Sequence, residues 1–214
     1  MAKNDRKRRP TRKLLQQKRF LVVVEGDVTE REYIDAVKRS RRIRNIDIQI
    51  VHRYTDPVGI VNDAKEQQKL ARKSDPYDEV WCVFDTETKL TQPARHGLSD
   101  AINAAKAAKV ECAISNPCVE LWLLWHYRDQ NSWISSDGIQ HYCRELKITQ
   151  EGRGKHLSDA DDLIGNRYAA AKERAEAADT RHQQNGNRKP EDRNPSSGMY
   201  KLIDAIYAAF PLRS

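Results

Sequence analysis

The stretch of sequence that decides the fold is FLVVVEGDVTEREY, residues 20–33. It opens with five consecutive apolar residues, a pattern typical of a strand that is buried on both faces of a parallel sheet. Glu25-Gly26 then ends the strand. Thr29 and Glu32 have the spacing of a capping box, in which the two side chains satisfy backbone amides at a helix start. The stretch therefore predicts a strand, a tight turn and a helix that begins at Thr29.

The same strand–helix alternation continues to residue 116. Further strand-like runs lie at 46–51, 80–84 and 110–114, and helical patterns lie at 57–72 and 99–108. Asp56-Pro57 favours a helix start, because proline is well tolerated at the first helical position. Strands that alternate with helices predict an α/β fold, with a mostly parallel four-stranded sheet flanked by helices.

The pattern changes after the fourth strand. Residues 119–125 are apolar nearly all round, which indicates a buried helix with Trp122 and Trp125 in the core. A helix is expected from Ser158 to about residue 178, and a last amphipathic helix at 200–210. The predicted organisation has three parts. They are a basic flexible tail (1–18), an α/β core (19–127) and a helical extension (128–214) with a mobile loop near 179–198.

The positive charge of the chain lies in its first residues. Residues 1–19 hold nine Lys or Arg, Arg8 and Arg9 among them, and one Asp. The other 195 residues sum to −1, since the whole chain of 214 residues carries +7 and this segment +8. Such a tail binds phosphate backbones in many proteins, and the alternative is a solvated, solubilising terminus.

Composition also excludes several classes of protein. There is no apolar run of the roughly 20 residues that a membrane span needs, and no signal-peptide pattern, so we expect a cytoplasmic protein without membrane contact. The four cysteines include no C-x-x-C pair, which argues against a zinc cluster. No P-loop pattern is present, so the chain is not expected to be an ATPase itself.

Acidic residues follow two of the predicted strands at the point where each strand ends. Glu25 follows the first strand, and Asp85-Thr86-Glu87 follows the third. Ligands of open parallel sheets lie beyond the carboxyl ends of the strands, so these carboxylates share a site if the two strands are neighbours. Close carboxylates repel unless a cation or a proton intervenes, and oxygen ligands suit Mg²⁺ or Mn²⁺. Taken singly, each acidic residue could instead cap a helix.

Two other segments are candidate parts of a site. Asn116-Pro117 reads as an N-cap followed by proline, and Glu120 in the first turn either borders the site or complements the helix dipole. The glycine-flanked residues Arg153 and Lys155 could approach a phosphate backbone, although loops of this composition are more often only solvated.

Four blocks of sequence together resemble the RloB-like proteins. They are residues 20–33, 80–85, 113–124 and 194–197, and Ser-Asn-Pro-Cys at 115–118 is the most distinctive. The likeness runs from about residue 19 to the C-terminus. It implies a Toprim-like core and a role in bacterial or archaeal phage defence, such as abortive infection, with an RloA-type ATPase as partner.

The resemblance also implies roles for particular residues. Glu25 would act as general acid/base or metal ligand, and Asp85 and Glu87 would hold Mg²⁺ or Mn²⁺. Glu87 stands where the Toprim pattern has Asp, which lengthens its reach by one methylene. Gly26, together with Thr29 and Asn116, is expected to support the site, since glycine leaves room beside a phosphate.

Three functions remain open from the sequence. The first is a metal-dependent nuclease acting on RNA or DNA, with Glu25, Asp85, Glu87 and Glu120 as its catalytic residues, controlled by the partner ATPase. The second is a non-catalytic Toprim-like module that binds nucleic acid or the ATPase, which the Glu at position 87 favours. The third and weakest is another phosphotransfer enzyme.

Overall fold

The structure, a computed structural model, describes residues 18–26, 28–50, 56–86, 92–150 and 156–212, and residues 92–96 by their backbone alone. Its strands are β1 (Phe20–Val24), β2 (Ile46–Ile50), β3 (Glu79–Asp85), β4 (Glu111–Asn116) and β5 (Ser196–Ser197). Its α-helices are α1 (Thr29–Arg41), α2 (Pro57–Ala71), α3 (Gln92–Ala108), α4 (Glu120–Trp125), α5 (Ser136–Glu145), α6 (Ala160–Asp162), α7 (Tyr168–Gln184) and α8 (Met199–Ala209). A π-helical turn (Leu163–Arg167) joins α6 to α7, and a 3₁₀ turn (Pro190–Asp192) precedes β5.

The five strands form one sheet in the order β2-β1-β3-β4-β5. The first four strands are parallel, and β5 is antiparallel to β4. The α/β fold with a mostly parallel sheet confirms the prediction and agrees with the Toprim-like arrangement. The fifth strand was not predicted, because two serines carry neither an apolar run nor an alternating pattern.

Both faces of the sheet are covered, as the apolar run of β1 predicts. Phe20, Val22 and Val24 belong to the core beneath α1, α4, α7 and α8. Leu21 and Val23 belong to the second core, beneath α2 and α3. All five side chains are buried. Burial of each contributes roughly 1.5–3 kcal/mol, so β1 is the common centre of two apolar layers.

The predicted helix starts are partly confirmed. Asp56 caps α2, because its Oδ1 accepts a hydrogen bond from the Gly59 amide at 2.9 Å. Helix α1 does begin at Thr29, but the capping box is wrong. Its N-cap position is Val28 and not Thr29, and the Val28 side chain makes no cap hydrogen bond. The Glu32 carboxylate instead accepts a hydrogen bond from the amide of Leu157 at 2.8 Å. A partner distant in sequence thus replaces the local one.

The C-terminal part differs most from expectation. The long helix is capped by Asp159, passes through the π-helical turn and continues to Gln184, six residues beyond the predicted end. Ser196 and Ser197 pair with β4 and are buried. The segment 179–198 is therefore not one loop.

The second Asn-Pro pair, Asn194-Pro195, has the composition of a helix start, but no helix begins there. The Asn194 side chain binds both the amide and the carbonyl of Ile134, at 3.0 and 2.8 Å. The following Ser196 lies in β5, and the last helix begins only at Met199. Asn194 therefore joins two distant segments instead of capping a helix.

Helix α4 is buried along its whole length, which confirms that Trp122 and Trp125 belong to the core. Among the residues that the structure describes, none of the helices has both the length and the apolar character required to cross a bilayer.

Candidate active site at the carboxyl edge of the sheet

The carboxyl ends of β1 and β3 lie side by side, as the candidate site requires. The chain leaves β1 toward β2 on one side and later returns to β3 on the other, so the order of strands reverses between them. Glu25 follows β1 and Asp85 ends β3. The Asp85 amide donates a long hydrogen bond of 3.4 Å to Glu25 Oε2. Two of the predicted site residues are thus in contact at the switch point of the sheet.

Gly26 lies directly against a further carboxylate, that of Glu30. A Cβ atom built at Gly26 would lie 2.3 Å from Glu30 Oε2 and 2.7 Å from Glu30 Oε1. Glu30 lies in the first turn of α1 and is only 5% exposed. The glycine therefore lets a buried carboxylate approach the turn after β1. The sequence analysis did not select Glu30, because an acidic residue in the first turn of a helix also fits the dipole alone.

Asp85 is the electrostatic centre of the site. Its Oδ1 atom is buried and has no hydrogen-bond partner within the described ranges. Burial, followed by the charges of Glu30, Glu120 and Glu25, raises the pKa of Asp85 well above its usual range, against a smaller lowering by the Val119 backbone. The protonated form of this carboxyl is therefore favoured relative to that of an ordinary aspartate.

Glu120, whose role the sequence left open, lies in the interior beside the site. It is 1% exposed and begins α4. Its charge acts on Asp85, and together with burial it raises the pKa of the Cys118 thiol far above the usual range. Cys118 is consequently a neutral thiol at physiological pH and unsuited to act as a nucleophile.

Thr86 and Asn116 complete the edge formed by β3 and β4. The Thr86 amide donates to the Ser115 carbonyl at 2.8 Å, and its buried Oγ1 has no partner in the described part of the chain. Asn116 does not cap α4, contrary to prediction. Its Nδ2 atom donates to the carbonyls of Pro190 and Glu191, at 2.8 and 3.2 Å, and so holds the 3₁₀ turn against β4.

Several predicted residues lie outside the described residues. They are Glu87, Arg153, Lys155, Arg8 and Arg9. His156, next to that basic loop, is described, and its Nδ1 atom lies 2.6 Å from Glu32 Oε1 on α1.

The fit of a divalent metal can be tested on the donors that are present. Carboxylate oxygens are the ligands that Mg²⁺ and Mn²⁺ prefer, and the lone Oδ1 of Asp85 offers one such position. Within the described residues, however, no group of three or more His, Cys, Asp or Glu side chains is placed to hold a metal ion. The donors thus fit the metal in chemistry, and the third predicted ligand, Glu87, lies outside the described ranges.

Comparison with known proteins identifies the family of the chain. No curated protein and no solved structure matches it. A family model described as RloB-like protein matches residues 20–206, which is most of the chain and runs from β1 into α8. The chain therefore belongs to the RloB-like family.

Proposed function

We propose that this protein is a metal-dependent nuclease that hydrolyses phosphodiester bonds of RNA or DNA. The observation that supports this most is Asp85, whose buried Oδ1 atom has no hydrogen-bond partner among the described residues while three other carboxylates act on it. Natural proteins rarely gather buried acidic groups without a chemical use. Their position at the switch point of the sheet is where ligands of such folds bind.

In this proposal Asp85 and Glu87 hold Mg²⁺ or Mn²⁺, with Glu25 as a further ligand or as the general base. The bound ion would stabilise the negative charge that develops on the phosphate. The ionised form of Asp85 would be favoured there, because the cation would balance the charges of the carboxylates around it. The short turn at Gly26 keeps the backbone clear of the substrate.

The acid–base step falls to Glu25, which is half-buried at the mouth of the cluster. Its carboxylate would accept a proton from the attacking water as the oxygen of that water bonds to phosphorus. The bond from phosphorus to the leaving sugar oxygen then breaks, and that oxygen takes a proton from solvent. Glu30 and Glu120 are buried behind this position and would tune the charge of Asp85 rather than contact the substrate.

The biological setting comes from the family alone. We propose that the nuclease is an effector of bacterial or archaeal phage defence and that an RloA-type ATPase controls it. A cytoplasmic location follows from that setting.

A non-catalytic binding module is the second candidate. It is favoured by Glu87, which stands where the Toprim pattern has Asp. Such a module would bind nucleic acid or the ATPase and leave phosphodiester bonds intact.

Calorimetric titration with Mn²⁺ separates the two. We expect the wild-type chain and the Asp137→Asn control, an exposed acid on α5, to bind Mn²⁺ equally. Asp85→Asn should lose that binding, together with cleavage of RNA or DNA assayed in the presence of the ATPase. Equal Mn²⁺ affinity in all three proteins would refute the metal site and favour the binding module.

A further inference from the structure

The opposite edge of the sheet carries the contrasting charge. Helices α1, α2 and α3 each return to the amino edge, and the turn after each helix is rich in lysine and arginine. We call five exposed cations in these turns and in the last turn of α3 the basic row: Arg42, Arg44, Lys73, Lys106 and Lys109. Because the strand order is β2-β1-β3-β4, the turns before β2, β3 and β4 follow one another along this edge.

Most acids near this edge are already paired with other cations. The pairs are Arg19 with Asp47 (2.7 Å) and with Asp75 (3.3 Å), Lys18 with Glu79 (3.2 Å), Lys38 with Asp35 (3.6 Å) and Arg39 with Asp161 (3.0 Å). Asp78 accepts the Arg19 amide at 2.7 Å. Glu111, the exposed first residue of β4, is the exception, since it has no ion pair with another described residue.

The positive charge of the basic row is therefore not balanced by ion pairs with acids of the described residues. None of its five members forms an ion pair with an acid in the described residues. A cation at the end of a helix gains roughly 0.3–1 kcal/mol from the helix dipole, but several exposed cations without counter-charges repel one another. A cluster of this kind is stabilised by a polyanion that brings several negative charges at once.

The length of the basic row suits a phosphate backbone. Three strand spacings separate β2 from β4, which is roughly 14 Å at about 4.8 Å each. One strand of duplex DNA places a phosphate about every 3.4 Å along the helix axis, so about four phosphates fit this span. A single acidic side chain could neutralise only one end of it.

We propose that the basic row is a second binding site, specific for the phosphate backbone of nucleic acid and indifferent to base sequence. It lies about one strand length, roughly 20 Å, from the carboxylates at the other edge. It would therefore hold a flanking segment of the nucleic acid while another segment reaches Asp85. That last role rests on the proposed nuclease function, whereas the binding itself does not.

The test is the salt dependence of binding, measured by fluorescence anisotropy with labelled 30-mers of RNA, single-stranded DNA and duplex DNA. The full-length chain is used in EDTA, so that neither metal nor cleavage contributes. Two double variants remove charge from different turns, Arg42→Gln/Arg44→Gln and Lys106→Gln/Lys109→Gln. The control, Arg144→Gln/Lys147→Gln, removes the same charge from the end of α5 and the turn after it. Lys147 has a positive φ, as Arg42 has.

We expect each row variant to weaken binding roughly tenfold or more at low salt. The slope of log K against log salt should fall in magnitude by about 1.4 for single strands and about 1.8 for the duplex, as for two lost phosphate contacts. The control should keep the wild-type affinity and slope. Circular dichroism melting of every variant checks that the fold is retained.

Four outcomes would overturn the proposal. One is a wild-type affinity and slope in both row variants. Another is an equal loss in the control. The third is that the row variants lose binding to phosphatidylserine vesicles but keep their binding to nucleic acid, which would assign the row to a membrane surface. If deletion of residues 1–17 abolishes binding that the row variants leave intact, the tail alone is the site. None of these results bears on Mn²⁺ binding at Asp85, so the two proposals fail separately.

Discussion

The two edges of the sheet use charge in opposite ways. At the carboxyl edge, the buried side chains of Glu30 and Glu120 and the half-buried side chain of Asp85 bring three acidic groups together. At the amino edge, acids such as Asp47 pair with cations, and the surplus cations are exposed. Buried like charges cost folding free energy, whereas exposed pairs cost or contribute little. We therefore expect the reactive end of the proposed nuclease at the edge with buried acids, and the binding surface at the edge with exposed cations.

The largest expected effect is on the rate of nucleic-acid cleavage, which tests whether the two edges differ in chemistry. Glu25→Gln keeps the shape of the side chain but removes its ability to accept a proton. We expect the rate of nucleic-acid cleavage to fall by roughly 10²–10⁴-fold, as for loss of a general base. Glu111→Gln at the amino edge is the matched control and should cleave like the wild type. Steady-state cleavage with Mn²⁺ and the ATPase measures both, and equal rates in the two variants would remove the distinction between the edges.

The next effect is on stability as a function of pH. The folded-state pKa of Asp85 is raised above its value of about 4 in the unfolded chain. Its contribution to stability is therefore present in full below pH 4 and is lost as the pH rises through the folded-state value. Asp85→Asn carries no such loss, so in EDTA it should be more stable than the wild type at pH 8. The difference should shrink as the pH falls toward 4.

Urea unfolding at a series of pH values checks this sign. Asp137→Asn, on the surface of α5, should follow the wild type at every pH. An Asp85→Asn chain that is less stable than the wild type at pH 8 would show that Asp85 is ionised and compensated in the absence of metal.

How much of this could be read from the sequence depends on the range of the interactions involved. The run at residues 20–24 and the cap at Asp56 are local signals, and both were predicted correctly. Glu25 and Asp85 were found because strand ends converge at one edge of any parallel sheet. These predictions needed only the period of the pattern and the geometry common to all parallel sheets.

The features that were missed depend on contacts between distant segments. Glu30 reaches the site only because α1 sets its carboxylate over Gly26, and no spacing rule contains that angle. Asn116 and Asn194 have the composition of helix caps, yet both are used to bind backbone groups far away in the sequence. Basic turns were visible as composition, but their order along the edge required the strand order.

A smaller effect, on unfolding free energy and Mn²⁺ binding, is expected from a substitution at the carboxyl edge. Gly26→Ala places a methyl group where the Glu30 carboxylate lies, so this buried side chain has to shift. We expect a loss of roughly 1–3 kcal/mol in unfolding free energy, as for other overpacked sites, and weaker Mn²⁺ binding. Gly97→Ala in α3 is the control, since a Cβ there meets no atom within 4 Å. It should stabilise the helix by roughly 0.5–1 kcal/mol.

Thermal unfolding of the two alanine variants distinguishes these cases by the sign of the change. A neutral Gly26→Ala would mean that the Glu30 carboxylate can leave the turn without cost, and that the crowding of acids around Asp85 is not enforced by packing.

The smallest effect is expected at the amino edge, where Asp47 accepts hydrogen bonds from Arg19 (2.7 Å) and from the Tyr77 hydroxyl (2.8 Å). Asp47→Asn should cost about 0.2–1 kcal/mol, because the pair is partly exposed, and the cost should decrease in high salt. Burial and the bond to Asp47 raise the pKa of Tyr77 to about 12, so wild-type stability from this group is complete below pH 10 and declines toward pH 12. In Asp47→Asn, ultraviolet titration should show Tyr77 ionising at lower pH, with Tyr77→Phe identifying its signal. The unfolding free energy lost in Asp47→Asn can be compared with that gained in Asp85→Asn at pH 8. If the two are equally large, burial does not separate the two edges. The assignment of chemistry to one edge and of binding to the other then loses its physical basis.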